Sequence, residues 1–399
     1  MSRHDCAIWL AERPSCNRAL KLQLLERFGT AQAVYDAEEQ EYLAVPGIGK
    51  RQIAALGEKS LEHAERILSD CARQEIRVIS IEDEDYPTPL RDLPDAPTVL
   101  YVRGTLPDWN ERISIGMVGT RRATEYGLGA TRWLAAQLAR EGCVIVSGMA
   151  LGIDGQSSRG ALDAGGITVA VLGSGVDVCY PASHRNLMKE ILVRGAVISE
   201  YPPGTGPERR NFPERNRIIS GLCRGLIVIE APKKSGSLIT ADLALSQGRD
   251  IFAVPGNINS PQSQGTNRLL REGAAELVTC AADVLAHYAG PHKKLRADSS
   301  TPYSEPLMVD ERKPQNAPVP SQGAGKANKN NPSKTPEIGL TQAEQRVLEA
   351  VRQGADGADA IIEATGLTAS QVLSSLTMLE INRLVRRSGA SYQAGMIEE

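Results

Sequence analysis

Between about residue 113 and residue 279, short apolar runs recur along the chain, separated by stretches with helical spacing. The runs are 113–119 (ISIGMVG), 143–147 (CVIVS), 167–172 (ITVAVL), 196–200 (AVISE), 226–230 (LIVIE), 250–254 (DIFAV) and 275–279 (AELVT). Continuous apolar segments rich in β-branched residues suit strands covered on both faces, as in a parallel sheet. Between them, Tyr126 to Glu141 and Ser183 to Arg194 read as helices. Ser235 to Thr240 (SGSLIT) reads as a turn opening a helix that runs to about Gln247 and ends at Gly248. Strand and helix in alternation imply right-handed βαβ crossovers, hence an α/β core with a doubly wound, Rossmann-type parallel sheet.

The flanks follow other patterns. Up to about residue 75, apolar residues fall at three- and four-residue spacing (Leu20, Leu24, Phe28; Ile53, Leu56) with no strand-like run, which describes a small all-helical domain. Within it, Tyr42 to Leu56 (YLAVPGIGKRQIAAL) is similar to a SAM or helix-hairpin-helix unit, with Gly47, Ile48 and Gly49 at the turn and Lys50 and Arg51 beside it. Such a turn serves packing or aims amides at a phosphate, and the many acids around it (Glu38, Glu39, Glu41, Glu58, Glu62, Glu65) favour packing. From Glu75 the prolines cluster, marking a connecting segment that ends in a strand near Val99 to Val102. Residues 290–338 are rich in Pro, Ser, Asn, Gly and Lys and poor in large apolar groups, the composition of a flexible linker. The last 60 residues show three short helices and a strand-like tail, a winged helix. Its third helix, Thr368 to Glu380, carries no basic residue, and only Arg383, Arg386 and Arg387 follow. Protein contacts or weak backbone contacts are therefore expected there rather than base reading. The expected domains are 1–75, 76–289, the linker 290–338, and 339–399.

Composition narrows the function classes. With 399 residues, 41% hydrophobic and 23% charged, the chain can bury a sizeable core in more than one domain. The net charge of -3 does not announce a nucleic-acid binder, so any basic surface must be local. The seven cysteines are far apart with no C-x-x-C pair, which favours reduced thiols over disulfides or zinc. No apolar run approaches the roughly 20 residues of a membrane span, and charges break up the N-terminus, so a cytoplasmic protein is expected. No H-x-x-x-H and no G-x-x-x-x-G-K-[ST] occurs. ATP hydrolysis and metal-dependent nuclease chemistry thus lack apparatus, and binding without catalytic residue, metal or cofactor is the expectation.

In a parallel α/β sheet the loops that follow the strands share one edge, where ligands bind near the reversal of strand order. On that edge stand Gly119 to Arg122; Gly173 to Gly175 and Tyr180 to Arg185; Arg209 to Arg217; and Lys233 to Ser237. The opposite edge is much less basic. The strand, Gly/Ser turn and helix start at 226–240 form an anion seat, where free amides and the positive end of the helix dipole meet. Four cationic loops on one edge describe a polyanion groove. Phe212, among the arginines, is placed either to stack on a base or to pack with Pro213. Asp154, in the Gly-rich loop Ser147 to Gly155, reads as a cap or hydrogen-bond anchor.

Several stretches of this core carry a resemblance: MVGTRRAT (117–124), SGMALGIDGQSSRGAL (147–162), AVLGSGVDVCYPASHRNL (170–187), FPERNRIISGL (212–222), SGSLITADLAL (235–245) and AVPGNINSPQSQGTNRLLREGA (253–274). Together the chain resembles the DNA-processing protein A family (DprA, also called Smf). The resemblance implies a single-stranded DNA-binding protein that protects incoming DNA, forms a homodimer through the Rossmann domain and loads the recombinase RecA in natural transformation and recombination. By position it makes Arg121 and Arg185 the principal DNA-binding cations, with Gly119, Ser147, Gly148, Gly173 and Ser174 lining the same pocket, and Asn216, Arg217, Lys234 and Ser237 are added to them. The loop after Pro181 reads Ala182, Ser183, His184, Arg185 where the family often has lysine, which leaves His184 as a neutral partner. The alternative is a nucleotide N-glycosidic-bond hydrolase similar to the LOG phosphoribohydrolases, which use the same Rossmann variant. In that reading Asp242 stands where the catalytic Glu of P-G-G-x-G-T-x-x-E would be, although Leu238 and Ile239 replace Gly-Thr.

Overall fold

The computed structural model describes residues 3–288, 341–381, 384–388 and 391–394, which fall into two compact units. The segment expected as a linker, 290–338, and Arg383 lie outside the described residues. Among the described residues no helix is long and apolar enough to cross a membrane.

The larger unit is built on a nine-stranded sheet: β1 (Arg77–Ser80), β2 (Val99–Gly104), β3 (Ser114–Val118), β4 (Val144–Ser147), β5 (Ile167–Val171), β6 (Ala196–Ser199), β7 (Gly225–Val228), β8 (Asp250–Ala253) and β9 (Glu276–Leu277). Its order is β1-β2-β6-β5-β4-β3-β7-β8-β9. Strands β3 to β9 are paired in parallel, as their apolar runs require. The chain steps outward from β3 to β6, then returns to β7 on the other side of β3 and runs out to β9. The winding therefore reverses at the β3–β7 seam, and the crevice beyond the carboxyl ends of these two strands is the place such a sheet offers a ligand. The connecting segment does more than join domains: β1 and β2 pair antiparallel, and β2 adds antiparallel to β6.

Alternation along each strand divides the core between the two faces. Val144, Val146, Leu226 and Val228 meet Val118 and Val171 on one face, whereas Ile115, Met117, Ile145 and Ile227 pack with Leu134 and Leu138 of the helix Glu125–Arg140 on the other. Toward β5 and β6 the second face is covered by the N-terminal helices, so that Trp9, Leu24, Tyr42 and Leu56 share one hydrophobic cluster with Tyr101, Leu172 and Val197. These helices are Arg3–Ala11, Arg18–Phe28, Ala31–Asp36, Glu39–Tyr42, Lys50–Gly57 and Glu62–Arg73. At the hairpin turn the amide of Gly49 is taken by the Gln52 side chain (3.1 Å), the local use of that turn. Lys59 ties the helices together: its ammonium lies 5.2 Å from the ring centres of Trp9, Tyr35 and Tyr42.

The smaller unit has the helices Gln342–Arg352, Ala358–Thr365 and Ala369–Ile381, followed by an antiparallel hairpin of β10 (Val385–Ser388) and β11 (Ser391–Ala394). Thr341 and Glu344 form a capping box that starts the first helix. Val347, Ile361, Val372, Leu376, Val385 and Tyr392 close its core. Three helices and a wing are the winged-helix arrangement.

Candidate nucleic-acid interface

At the β3–β7 seam the sheet edge opens into a cleft of about 760 Å3. Five segments wall it, one of them the loop after β5 with Tyr180. The loop after β3 supplies Gly119, Thr120 and Arg121, and the segment after β4 supplies Ala150 and Asp154. The stretch after β6 brings Arg209, Phe212, Arg215 and Asn216, and the loop after β7 brings Lys234, Ser235, Gly236 and Ser237. The last wall is the N-terminus of the helix Gly236–Ser246, whose cap Ser235 accepts from the Ser237 amide. Its dipole and first-turn amides face the cleft, where they favour an anion.

Much of the stretch counted as a cationic loop is the helix Asn211–Leu222. Pro213 sits in its first turn, where its missing N–H costs nothing. On a helix with 3.6 residues per turn, positions 212, 215, 216 and 219 share one face, and Phe212, Arg215, Asn216 and Ile219 all line the cleft. Arg217 lies on the other side. It is 3% exposed, ion-paired with Glu200 and 3.4 Å from Asp95, so it is a structural cation and not part of the cleft wall. Glu200 also pairs with Arg18 of the N-terminal helices (3.1 Å), which explains why the chain keeps a charge there.

The remaining expected site residues divide in the same way. Gly119, Arg121, Asn216, Lys234 and Ser237 line the cleft, and Arg121 and Lys234 are exposed. Arg185 is exposed outside the cavity, at the start of the helix Arg185–Arg194. Ser147, Gly148, Gly173 and Ser174 lie behind the wall rather than in it. The Ser147 hydroxyl donates to the Met117 carbonyl (2.6 Å), and that of Ser174 to the Val178 carbonyl (3.1 Å). Gly173 accepts from the Asn211 side chain (3.1 Å). A Cβ on Gly148 would stand 1.7 Å from Nη1 of Arg215, so glycine is required for that guanidinium to lie where it does. His184 does not line the cleft; its Nδ1 is bonded to the Met149 carbonyl (3.0 Å).

Sequence reading missed two contributors. Arg209 is exposed on the cleft wall, whereas its neighbour Arg210 is drawn off by Glu208 (2.8 Å). Arg215 forms the floor. Its Nη1 donates to the Val171 carbonyl (2.8 Å), and among the described residues its Nε has no hydrogen-bond partner. Burial, partly offset by Asp154, holds this guanidinium down to about 10, still cationic at neutral pH. Burial likewise pushes the Asp154 carboxyl up, against the pull of Arg215 and of the Ala150 and Gly148 amides. Asp154 is thus an anchor, accepting from the Gly148 amide at 3.2 Å. Helical spacing from Phe212 is the signal that could have singled out Arg215. The aromatic groups also gather: the Arg121 guanidinium lies 5.3 Å from the Phe212 ring centre, and Tyr180 and Phe212 are 5.6 Å apart and tilted at 45°. Asp242 is exposed and does not line the cleft, whose wall is formed instead by Ile239 and Thr240, so the acid that a nucleotide hydrolase would need is not presented there. Among the described residues no group of His, Cys, Asp and Glu could hold a metal ion.

Exposed cations, a helix N-terminus and paired aromatic rings at the reversal of a doubly wound sheet define a Rossmann-type protein that binds a polyanion. Comparison with known proteins makes this specific. The model of the family DNA recombination-mediator protein A matches residues 77–289, and the DprA winged helix domain matches 331–390. The chain belongs to the DNA recombination-mediator protein A family. It is 33% identical over 408 residues to protein Smf of Synechocystis, covering 98% of this chain and all of that protein. It is 44% identical over 215 residues to the DNA processing protein DprA of Streptococcus pneumoniae, covering 54% of this chain and 75% of the relative. The X-ray structure of DNA processing protein A from Streptococcus pneumoniae superposes with a TM-score of 0.64 at 35% identity, covering 72% of this chain and 98% of that one.

Proposed function

We propose that the chain is a cytoplasmic, non-enzymatic protein that binds single-stranded DNA along this cleft and, as a homodimer paired through the Rossmann domain, hands the strand to the recombinase RecA in natural transformation and recombination. The observation that carries the reading is the convergence of Arg121, Arg209, Lys234 and the incompletely bonded Arg215 on one cleft beside Tyr180 and Phe212. Phosphates meet the guanidinium and ammonium groups and the loop amides, while unstacked bases lie against the rings, a combination that a single strand satisfies and a paired duplex does not. Arg185 extends the track beyond the cavity. Binding tolerant of sequence follows, because every base has a face to stack and every phosphate the same charge. Pairing of two copies lengthens the track, and the edge strand β9, with Leu277 53% exposed, offers a surface for it.

The reading is tested by competing a labelled single strand against the same sequence as single strand and as duplex. Preference for the single strand, lost in Arg121→Ala with an unchanged thermal transition, is the expected result; equal affinity for duplex would sink it. The partner step is tested separately, by whether the protein speeds RecA filament formation on a strand already covered by single-strand-binding protein.

A further inference from the structure

The carboxyl edge of the sheet holds a second cavity, of about 660 Å3, on the β8 side of the seam. It shares a wall with the cation-lined cleft: the amide of Thr120, which lines the cleft, donates to the carbonyl of Glu230, which lines the second cavity, at 2.8 Å. The two linings are chemically opposite. Among the described residues no lysine or arginine lines the second cavity; Tyr126, Glu230, Asn257, Ser260 and Ser263 do. The Tyr126 ring is 49% exposed and held at its far end, where the hydroxyl donates to the Pro255 carbonyl (2.7 Å). Glu230 is 1% exposed and fixed in place by Thr124, whose amide (2.9 Å) and hydroxyl donate to its two oxygens. The loop opposite is pinned as well, since Gly256 and the Asn267 side chain exchange two hydrogen bonds of 3.1 and 3.0 Å.

With no lysine or arginine in its lining among the described residues, this cavity offers a phosphate no counter-charge and does not continue the phosphate track. A half-exposed aromatic ring beside an exposed amide side chain and the half-buried Ser260 instead suits a flat neutral heterocycle with donors and acceptors on its edge. We propose that the cavity receives a nucleobase swung out from the strand whose phosphates occupy the neighbouring cleft, with Tyr126 as its stacking face and the exposed Asn257 side chain meeting its edge, while the buried Glu230 holds Thr124 and the wall in place. The inference rests on the single-strand reading above and adds to it a second, cation-free subsite.

The test compares affinity for a single-stranded oligonucleotide with affinity for an abasic sugar–phosphate strand of equal length. Tyr126→Ala is expected to reduce the preference for the base-bearing strand at least about fivefold and up to about 150-fold, the range of one lost base–aromatic stack, while leaving affinity for the abasic strand and the salt dependence unchanged. Tyr126→Phe keeps the ring and removes the hydroxyl that donates to Pro255, so it retains the preference. Arg121→Ala weakens both strands alike. A wild-type preference that survives in Tyr126→Ala overturns the proposal. So does the absence of a photocrosslink between a 4-thiothymidine strand and the peptide holding Tyr126 in the wild-type protein, a measurement that does not depend on how well the variant folds. Failure of the wild type to bind either strand overturns the cleft itself, a different outcome.

Discussion

Removing cations one at a time should sort them by place rather than by residue type. Three exposed cations line the cleft, Arg121, Arg209 and Lys234. Single-strand affinity falls by about 0.7 log unit per log unit of salt for each phosphate neutralised, so these three contribute about -2 to the slope, to which Arg215 and Arg185 add. Through the three alone, raising salt from about 50 to about 200 mM weakens binding about 20-fold, and without Arg121 about sevenfold. At fixed low salt the same variant loses a charge-assisted contact of about 1.5–3 kcal/mol, an affinity loss of roughly 10- to 100-fold. Arg209→Ala and Lys234→Ala should lower the slope by the same step. Arg217→Ala should leave the slope alone and instead cost roughly 3 kcal/mol of stability, because it strips a buried partner from Glu200. Fluorescence anisotropy titrations at several salt concentrations, with urea denaturation of each variant, read both quantities. A wild-type slope in Arg121→Ala, or a reduced slope in a fully stable Arg217→Ala, would refute the division between cleft and structural arginines.

Three further outcomes follow from the packing. Gly148→Ala places a methyl against the Arg215 guanidinium, which must give up its bond to Val171; a loss of about 1–3 kcal/mol in chemical denaturation and weaker single-strand binding are expected. Asp83 is held below its ordinary value of 3.8, because hydrogen bonds from His4 and the Ser80 amide and the charge of Arg3 outweigh its burial. Its contribution is therefore complete above the unfolded value and lost as pH falls through the lower folded one. Asp83→Asn should cost about 1–2 kcal/mol at pH 7, with the gap to wild type closing below about pH 4 in melting curves. Lys59→Met removes a cation shared by three rings and donated to the Ala37 carbonyl (3.2 Å) and the Tyr42 hydroxyl (2.7 Å), and should lower stability by about 2 kcal/mol, measured by urea denaturation.

The amino-acid sequence by itself determined the strand and helix alternation, the helical front and the winged-helix tail, because periodicity is a local property. It also identified the basic edge, since in a parallel sheet each loop after a strand must emerge on the same side. Arg121 and Lys234 were legible for that reason. Only the tertiary structure decided which cations meet. Arg215 and Arg217 are two residues apart and alike in type, yet one floors the cleft and the other is paired with Glu200, because a helix turns about 200° between them. The strand near Val99 to Val102 was legible, but its antiparallel pairing with β1 and β6 was hidden, since pairing with β6 depends on a partner almost a hundred residues away. The cation-free cavity beside the cleft was invisible for the same reason. Tyr126, Glu230 and Asn257 come from segments after three different strands, and only the order of those strands in the sheet brings them together.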